Sequence, residues 1–482
     1  MADSADDILA TGSLPAIRQA FIGKTLSVKE AVEFYRKRVD ALSRSGPALN
    51  AVTALAPDLM DQAARADADI AAKRALGPLH GIPVLLKDNI STADGLPTTA
   101  GAAALAQFKP TREATLVTRL RQAGAIILGK ANMTEFADYV SDVMPSGFSG
   151  AGGVVRNPHG IEYGRGQGSS VGPAAAVAAG LAPVAIGSET QNSIQTPASF
   201  SSLFGYKPSV GLASRAGIVP LVTSQDSPGP LARSVEDAAL VLSVIAGPDA
   251  RDTASLEAAL DLPHRLRPRD IRSICIGVPR RTIADRADLA VVMPLFEQAV
   301  ALLAKAGARI VDPCDAPSAE QLQDVRSSVF RTEFKAGLNT FLADNGHPSG
   351  MATLADIIHW NEAHSDRIPY GQSLLLAAEA TQGIDDPQYR ADRLRDIALS
   401  RTAGIDAALQ FADADVLMVP MGSAARWTGK AGAPVLAIPV GLDRAGVPFG
   451  VTLFTSKGQD RRLLDVGTAV AAVIADRRIP KL

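Results

Sequence analysis

Cysteine is nearly missing from this chain: Cys275 and Cys314 are the only two in 482 residues. Two thiols cannot make a disulfide framework or a cysteine-based metal site, so a reducing, cytoplasmic setting is expected. An excess of one charge is also missing. Forty-eight basic residues face fifty acidic ones, a formal net charge of −2. That balance argues against nucleic acid or an anionic membrane as the main partner and suits a neutral small molecule. The longest apolar stretch, 173–187, is rich in Ala and Gly and contains Pro183, which falls short of the ~20 strongly apolar residues of a membrane span. The start, Met1-Ala2-Asp3-Ser4-Ala5-Asp6-Asp7, is acidic where a secretion signal begins basic and then turns apolar. Histidine is scarce, with six residues at 80, 159, 264, 347, 359 and 364, and none opens an HExxH or similar motif. No metal and no cofactor are expected.

What the chain does have is a change of period. Val28, Ala31, Val32, Tyr35 and Val39 recur on one helical face, and the opening segment 1–75 reads as helical throughout. From 81 onward short β-rich runs are bounded by Gly, Pro and Asp: 82–86, 125–128, 184–186, 274–279, 308–311, 416–420, 435–440 and 450–453. Helical stretches such as 114–124 lie between them. The fold class expected is α/β, a large mixed sheet covered by helices on both faces. One domain over 1–482 is expected, with a core at 76–260, a surface connection near 247–272, a helical elaboration at about 317–410 that caps the sheet, and a return to the sheet at 411–482.

Two serines stand in glycine-rich, almost uncharged surroundings, Gly168-Ser169-Ser170-Val171-Gly172 and Gln191-Asn192-Ser193-Ile194-Gln195, with Ser169 and Ser193 24 residues apart. Small residues between them allow close packing, so a helix after the first and a strand before the second bring both hydroxyls together. A serine hydroxyl needs a base before it attacks. No histidine lies in either segment. Lys87 follows Val84, Leu85 and Leu86, which would set its ammonium at the end of a buried strand where desolvation favours the neutral amine. An ion-paired or solvated lysine is the alternative. Gly168-Ser169-Ser170-Val171-Gly172 also fits G-x-S-x-G, which would make Ser170 the nucleophile of an α/β-hydrolase-like esterase. That motif needs a strand running into the turn, and 161–167 is too rich in glycine and polar residues.

Three stretches in order, 81–90 (GIPVLLKDNI), 168–170 (GSS) and 188–194 (SETQNSI), resemble the amidase signature family, with supporting matches at 96–101, 129–136, 204–208 and 226–230. The likeness runs from about 25 to about 470. Residues 224–230, Phe334-Lys335, 354–356 and 370–372 look closest to its peptide amidase, aryl acylamidase and urethanase branch. The resemblance implies a serine hydrolase of amide bonds: Ser193 as nucleophile, Ser169 after a cis peptide bond as proton relay, Lys87 as final base. It implies an oxyanion hole at Thr190, Gln191, Asn192 and Ser193, and a supporting hydroxyl at Ser170, whose other reading is a helix N-cap. Amides, anilides, esters and carbamates are the expected substrates, with Met133, Gln191, Asn192, Gln195 and Trp427 as pocket residues. The family usually has Gly-Gly where Gln191-Asn192 stand, arginine where Gln195 stands and glycine where Val171 stands. Gln191 sits poorly in a glycine-only conformation, and loss of the arginine leaves Glu189 without an evident partner. The A subunit of a glutamyl-tRNA amidotransferase and an inactive binding homologue are the other readings. Oligomeric state is not legible.

Overall fold

The computed structural model describes residues 4–256, 262, 266–284 and 286–482. The first three residues and part of the expected 247–272 connection, His264 included, lie outside these. Eleven strands form one mixed sheet: β1 (Val52–Leu55), β2 (Pro83–Lys87), β3 (Ile126–Ala131), β6 (Val184–Glu189), β7 (Phe204–Lys207), β8 (Ser227–Ala232), β9 (Cys275–Gly277), β10 (Arg309–Val311), β11 (Val416–Pro420), β12 (Val435–Leu442) and β13 (Pro448–Phe454). A small separate ladder joins β4 (Phe148–Ser149) to β5 (Gly153–Val154). The spatial order is β1-β3-β2-β6-β8-β7-β12-β13-β11-β9-β10. β3, β2 and β6 run parallel, and β6, β8, β7, β12 and β13 alternate. The α/β class and the mixed sheet are as expected.

The strands that position chemistry are apolar and buried on both faces, as inner parallel strands must be. Val84, Leu85 and Leu86 of β2 and Val184, Ala185 and Ile186 of β6 are all fully buried, and their registers pair Leu86 with Ile186. The two strands therefore end side by side, which sets Lys87 next to Gly187 and Ser188. The helix Val171–Ala178 is buried along its whole length. Gly172 is what lets it approach: a Cβ there would stand 2.1 Å from the Asn132 carbonyl oxygen and 2.7 Å from the Asn132 nitrogen.

The opening segment is not helical throughout. Helices Leu14–Ile22, Val28–Arg38 and Leu59–Ala71 match the pattern, with Val28, Ala31, Val32, Tyr35 and Val39 buried, but Val52–Leu55 forms an edge strand antiparallel to β3. Four residues are too few for a period to show, and the edge of β3 supplies their backbone partners. The expected elaboration is helical, with Val329–Asp344, Leu354–Ala363, Ser373–Glu379 and Pro387–Ile397. It closes over an apolar cluster of its own, where Phe334 packs edge-on against Phe136 at 5.7 Å between ring centroids. Among the described residues no helix is long and apolar enough to cross a membrane.

Candidate active site

Lys87 ends β2 with no solvent exposure. Its Nζ lies 2.7 Å from Ser169 Oγ and donates to the Ser188 carbonyl at 3.1 Å and the Ser188 hydroxyl at 3.0 Å. Burial pulls its pKa down to about 7, against the opposing pull of Asp226, Glu189 and Asp138. A substantial fraction of Lys87 is thus a free amine near neutral pH, able to take a proton from the hydroxyl beside it.

The bond between Gly168 and Ser169 is cis. Only glycine fits before it, because a Cβ at 168 would stand 2.5 Å from Thr134 Oγ1 and 3.0 Å from Ser146 Cβ. The Ser169 carbonyl accepts from the Thr134 N–H at 3.1 Å. Ser170 precedes the Val171–Ala178 helix, but its hydroxyl makes no cap bond. Ser170 Oγ instead donates to the Ser188 carbonyl at 3.2 Å and accepts from the Ser188 N–H at 3.3 Å. Ser170 is fully buried and no strand leads into it, so the esterase reading lacks the strand-to-turn context it requires.

Ser193 reaches this cluster through the backbone, since its carbonyl accepts from the Ser170 N–H at 3.1 Å. The loop around it is shaped by Glu189 at the end of β6. One carboxylate oxygen accepts from the N–H groups of Ile194 at 2.7 Å and Gln195 at 2.9 Å, and the other accepts from Gln195 Nε2 at 2.7 Å. Gln195 Nε2 also donates to the Gln191 carbonyl at 2.7 Å. The acid left without its arginine is therefore held by the amide that replaced it. Burial raises the Glu189 carboxyl pKa, while Lys207 and these donors oppose the rise.

Neither Gln191 nor Asn192 is among the described residues with positive φ. No glycine-only conformation is needed here, contrary to the expectation from the family's Gly-Gly. Asn192 Nδ2 donates to the Gly166 carbonyl at 2.6 Å, and Gln191 Nε2 lies 3.4 Å from Gln225 Oε1. Both line a cavity of about 520 Å³ with Trp427, Arg426, Gln323 and Ser423. Met133 and Gln195 are wholly buried and do not line that cavity. Met133 belongs to the apolar cluster under the elaboration. A second cavity of about 310 Å³ borders Thr190, Ser188, Asp226 and the helix residues Gly337 and Phe341.

Residue patterns left Ser188 and Asp226 without a role. Ser188 is bonded to Lys87, to Ser170 and to Asn89 Nδ2, the last at 2.9 Å. The available signal was a hydroxyl at the end of an apolar strand, within a stretch already carrying family likeness.

A family model described as Amidase matches residues 30–464. The native peptide amidase of Stenotrophomonas maltophilia superposes with a TM-score of 0.89 at 38% sequence identity, over 97% of this chain and 98% of that one. The "Probable amidase" of Arabidopsis thaliana is 35% identical over 478 residues, 96% of this chain and 90% of that protein. The A component of the glutamyl-tRNA(Gln) amidotransferase of Gloeothece citriformis is 32% identical over 95% of this chain and 96% of its own. The chain belongs to the amidase signature family. It is an amide-hydrolysing enzyme.

Proposed function

We propose that the enzyme cleaves carboxamide C–N bonds of small molecules through an acyl-enzyme on Ser193, with Ser169 as the proton relay and Lys87 as the final base. The carrying observation is the 2.7 Å approach of a wholly buried Lys87 Nζ to Ser169 Oγ. As Ser193 Oγ bonds to the carbonyl carbon, its proton moves to Ser169 Oγ, whose own proton moves to Lys87. The tetrahedral oxyanion is received by the N–H groups of 190–193. Among the described residues none of these four N–H groups bonds to another protein group, whereas the next two are bound by Glu189. The C–N bond then breaks and the amine leaves with the returned proton. Water repeats the relay, and the acid departs with Ser193 restored.

The same chemistry needs only an activated carbonyl and a competent leaving group, so anilides, esters and carbamates fall within reach. Gln191, Asn192 and Trp427, which line one cavity, are the residues proposed to select among them. The amidotransferase reading draws on relatives such as the Gloeothece protein. Gln191, Asn192 and Gln195, which depart from the glycine and arginine pattern of that group, favour a free-standing hydrolase. The test is a panel of primary amides, anilides, esters and carbamates with the wild type and Ser193→Ala. Turnover of at least one class by the wild type alone is expected, with loss of at least about a thousandfold in the variant, on the scale of removing a hydrolase's nucleophile. Undiminished turnover by Ser193→Ala would overturn the assignment.

A further inference from the structure

The loop at 190–193 is tied to the helical elaboration by hydrogen bonds that lie outside the relay. Thr190 Oγ1 donates to Asp226 Oδ1 at 2.5 Å. The other oxygen of Asp226 accepts from the N–H groups of Leu221 at 2.8 Å and Val222 at 3.0 Å. One carboxylate thus closes the 221–226 turn and holds Thr190. The turn's next residues bind a second carboxylate: Thr223 Oγ1 at 3.0 Å and the Ser224 N–H at 2.7 Å both donate to Glu333 Oε2. Glu333 Oε1 accepts from the Tyr389 hydroxyl at 3.0 Å. Glu333 is buried in the helix Val329–Asp344, and Tyr389 belongs to Pro387–Ile397.

Packing runs along the same line. A Cβ at Gly337, one helical turn beyond Glu333, would stand 3.1 Å from both Pro220 Cγ and Thr223 Cγ2. The helix therefore presses directly on the turn that Asp226 closes. A buried carboxylate persists only where donors compensate its lost hydration. All three donors to Glu333 come from the turn and from the neighbouring helix. The 310 Å³ cavity is lined by Thr190 and Asp226 and by Gly337 and Phe341 of the helix that carries Glu333.

Resting on the assignment of Ser193 as nucleophile, we propose that Asp226 and Glu333 are positioning residues for oxyanion stabilisation. They hold Thr190 and the N–H groups after it where negative charge develops, through the 221–226 turn. Neither touches the reacting atoms. The physical reason is that oxyanion donors act only over a narrow range of distance, so a loop free to shift loses transition-state binding before it loses substrate binding. The helical elaboration then contributes to the barrier as well as to the pocket.

The test compares two inhibitors built on the best substrate of the panel above: its aldehyde and the corresponding primary alcohol. Ser193 Oγ adds to the aldehyde carbon, its proton passes through Ser169 to Lys87, and the carbonyl oxygen becomes the oxyanion. The alcohol forms no such adduct and reports ordinary binding. In Glu333→Ala the aldehyde's advantage over the alcohol, and kcat, are expected to fall about tenfold, less than the roughly 10²–10³ of removing a donor outright, with alcohol affinity within about twofold. Glu333→Gln keeps an acceptor for Thr223 and Ser224 and is expected to restore most of the advantage. Should Glu333→Ala fail to fold, Tyr389→Phe and Thr190→Val cut the chain at its ends, each with an expected loss of about threefold. An unchanged advantage in the folded variants, with Ser193→Ala inactive, would overturn the positioning role alone. An active Ser193→Ala would overturn both assignments.

Discussion

A lysine in water is protonated at neutral pH and has no lone pair to offer, so the residue-scale question is what lowers the proton affinity of Lys87. Burial lowers its pKa to about 7 although three carboxylates pull the other way. The sign follows directly: below that value Lys87 is an ammonium and cannot accept the Ser169 proton, and above it the base is free. The expected profile of kcat/KM therefore loses rate on the acid side, with an apparent pKa near 7 in the free enzyme. A flat profile between about pH 5 and 9 would contradict the lysine base. Lys87 was legible because an apolar run leads straight into it. Gln195 was not. A glutamine beside a serine reads as a pocket residue, and only the folded chain reveals that its amide spans Glu189 and the Gln191 carbonyl. Met133 is ambiguous for a similar reason, since a methionine serves a core as readily as a pocket.

At the scale of elements, the site is made by strand ends and by one helix of small residues. β2, β3, β6 and β9 to β13 follow apolar runs that stand out in the sequence. β7 and β8 do not. Ser227-Pro228-Gly229-Pro230 carries two prolines and a glycine, which weaken an isolated strand, yet it lies between β6 and β7 in the sheet. β7 ends in Lys207. It is wholly buried, and its Nζ donates to the Ala433 carbonyl at 2.7 Å. Neighbouring strands and carbonyls override local preference in both cases. The close approach of the Val171–Ala178 helix rests on Gly172 and can be measured. Gly172→Ala is expected to destabilise the fold by about 1–3 kcal/mol through overpacking against Asn132, read as a lower urea midpoint. An unchanged midpoint would mean that the helix has room to move.

For the whole molecule, one large mixed sheet spans the fold, and the amidase family match covers residues 30–464. The purified chain is expected to turn over simple amides with no added protein. Activity that appears only with added partner proteins would favour the amidotransferase reading. The most direct measurement of the central claim is mass analysis of the enzyme quenched during turnover of an ester or carbamate whose acyl group leaves slowly. The expected result is an acyl mass on the peptide that contains Ser193, absent from Ser193→Ala and lost when the intermediate is allowed to hydrolyse. An acyl group on any other residue, or full turnover with Ser193 replaced, would contradict the account.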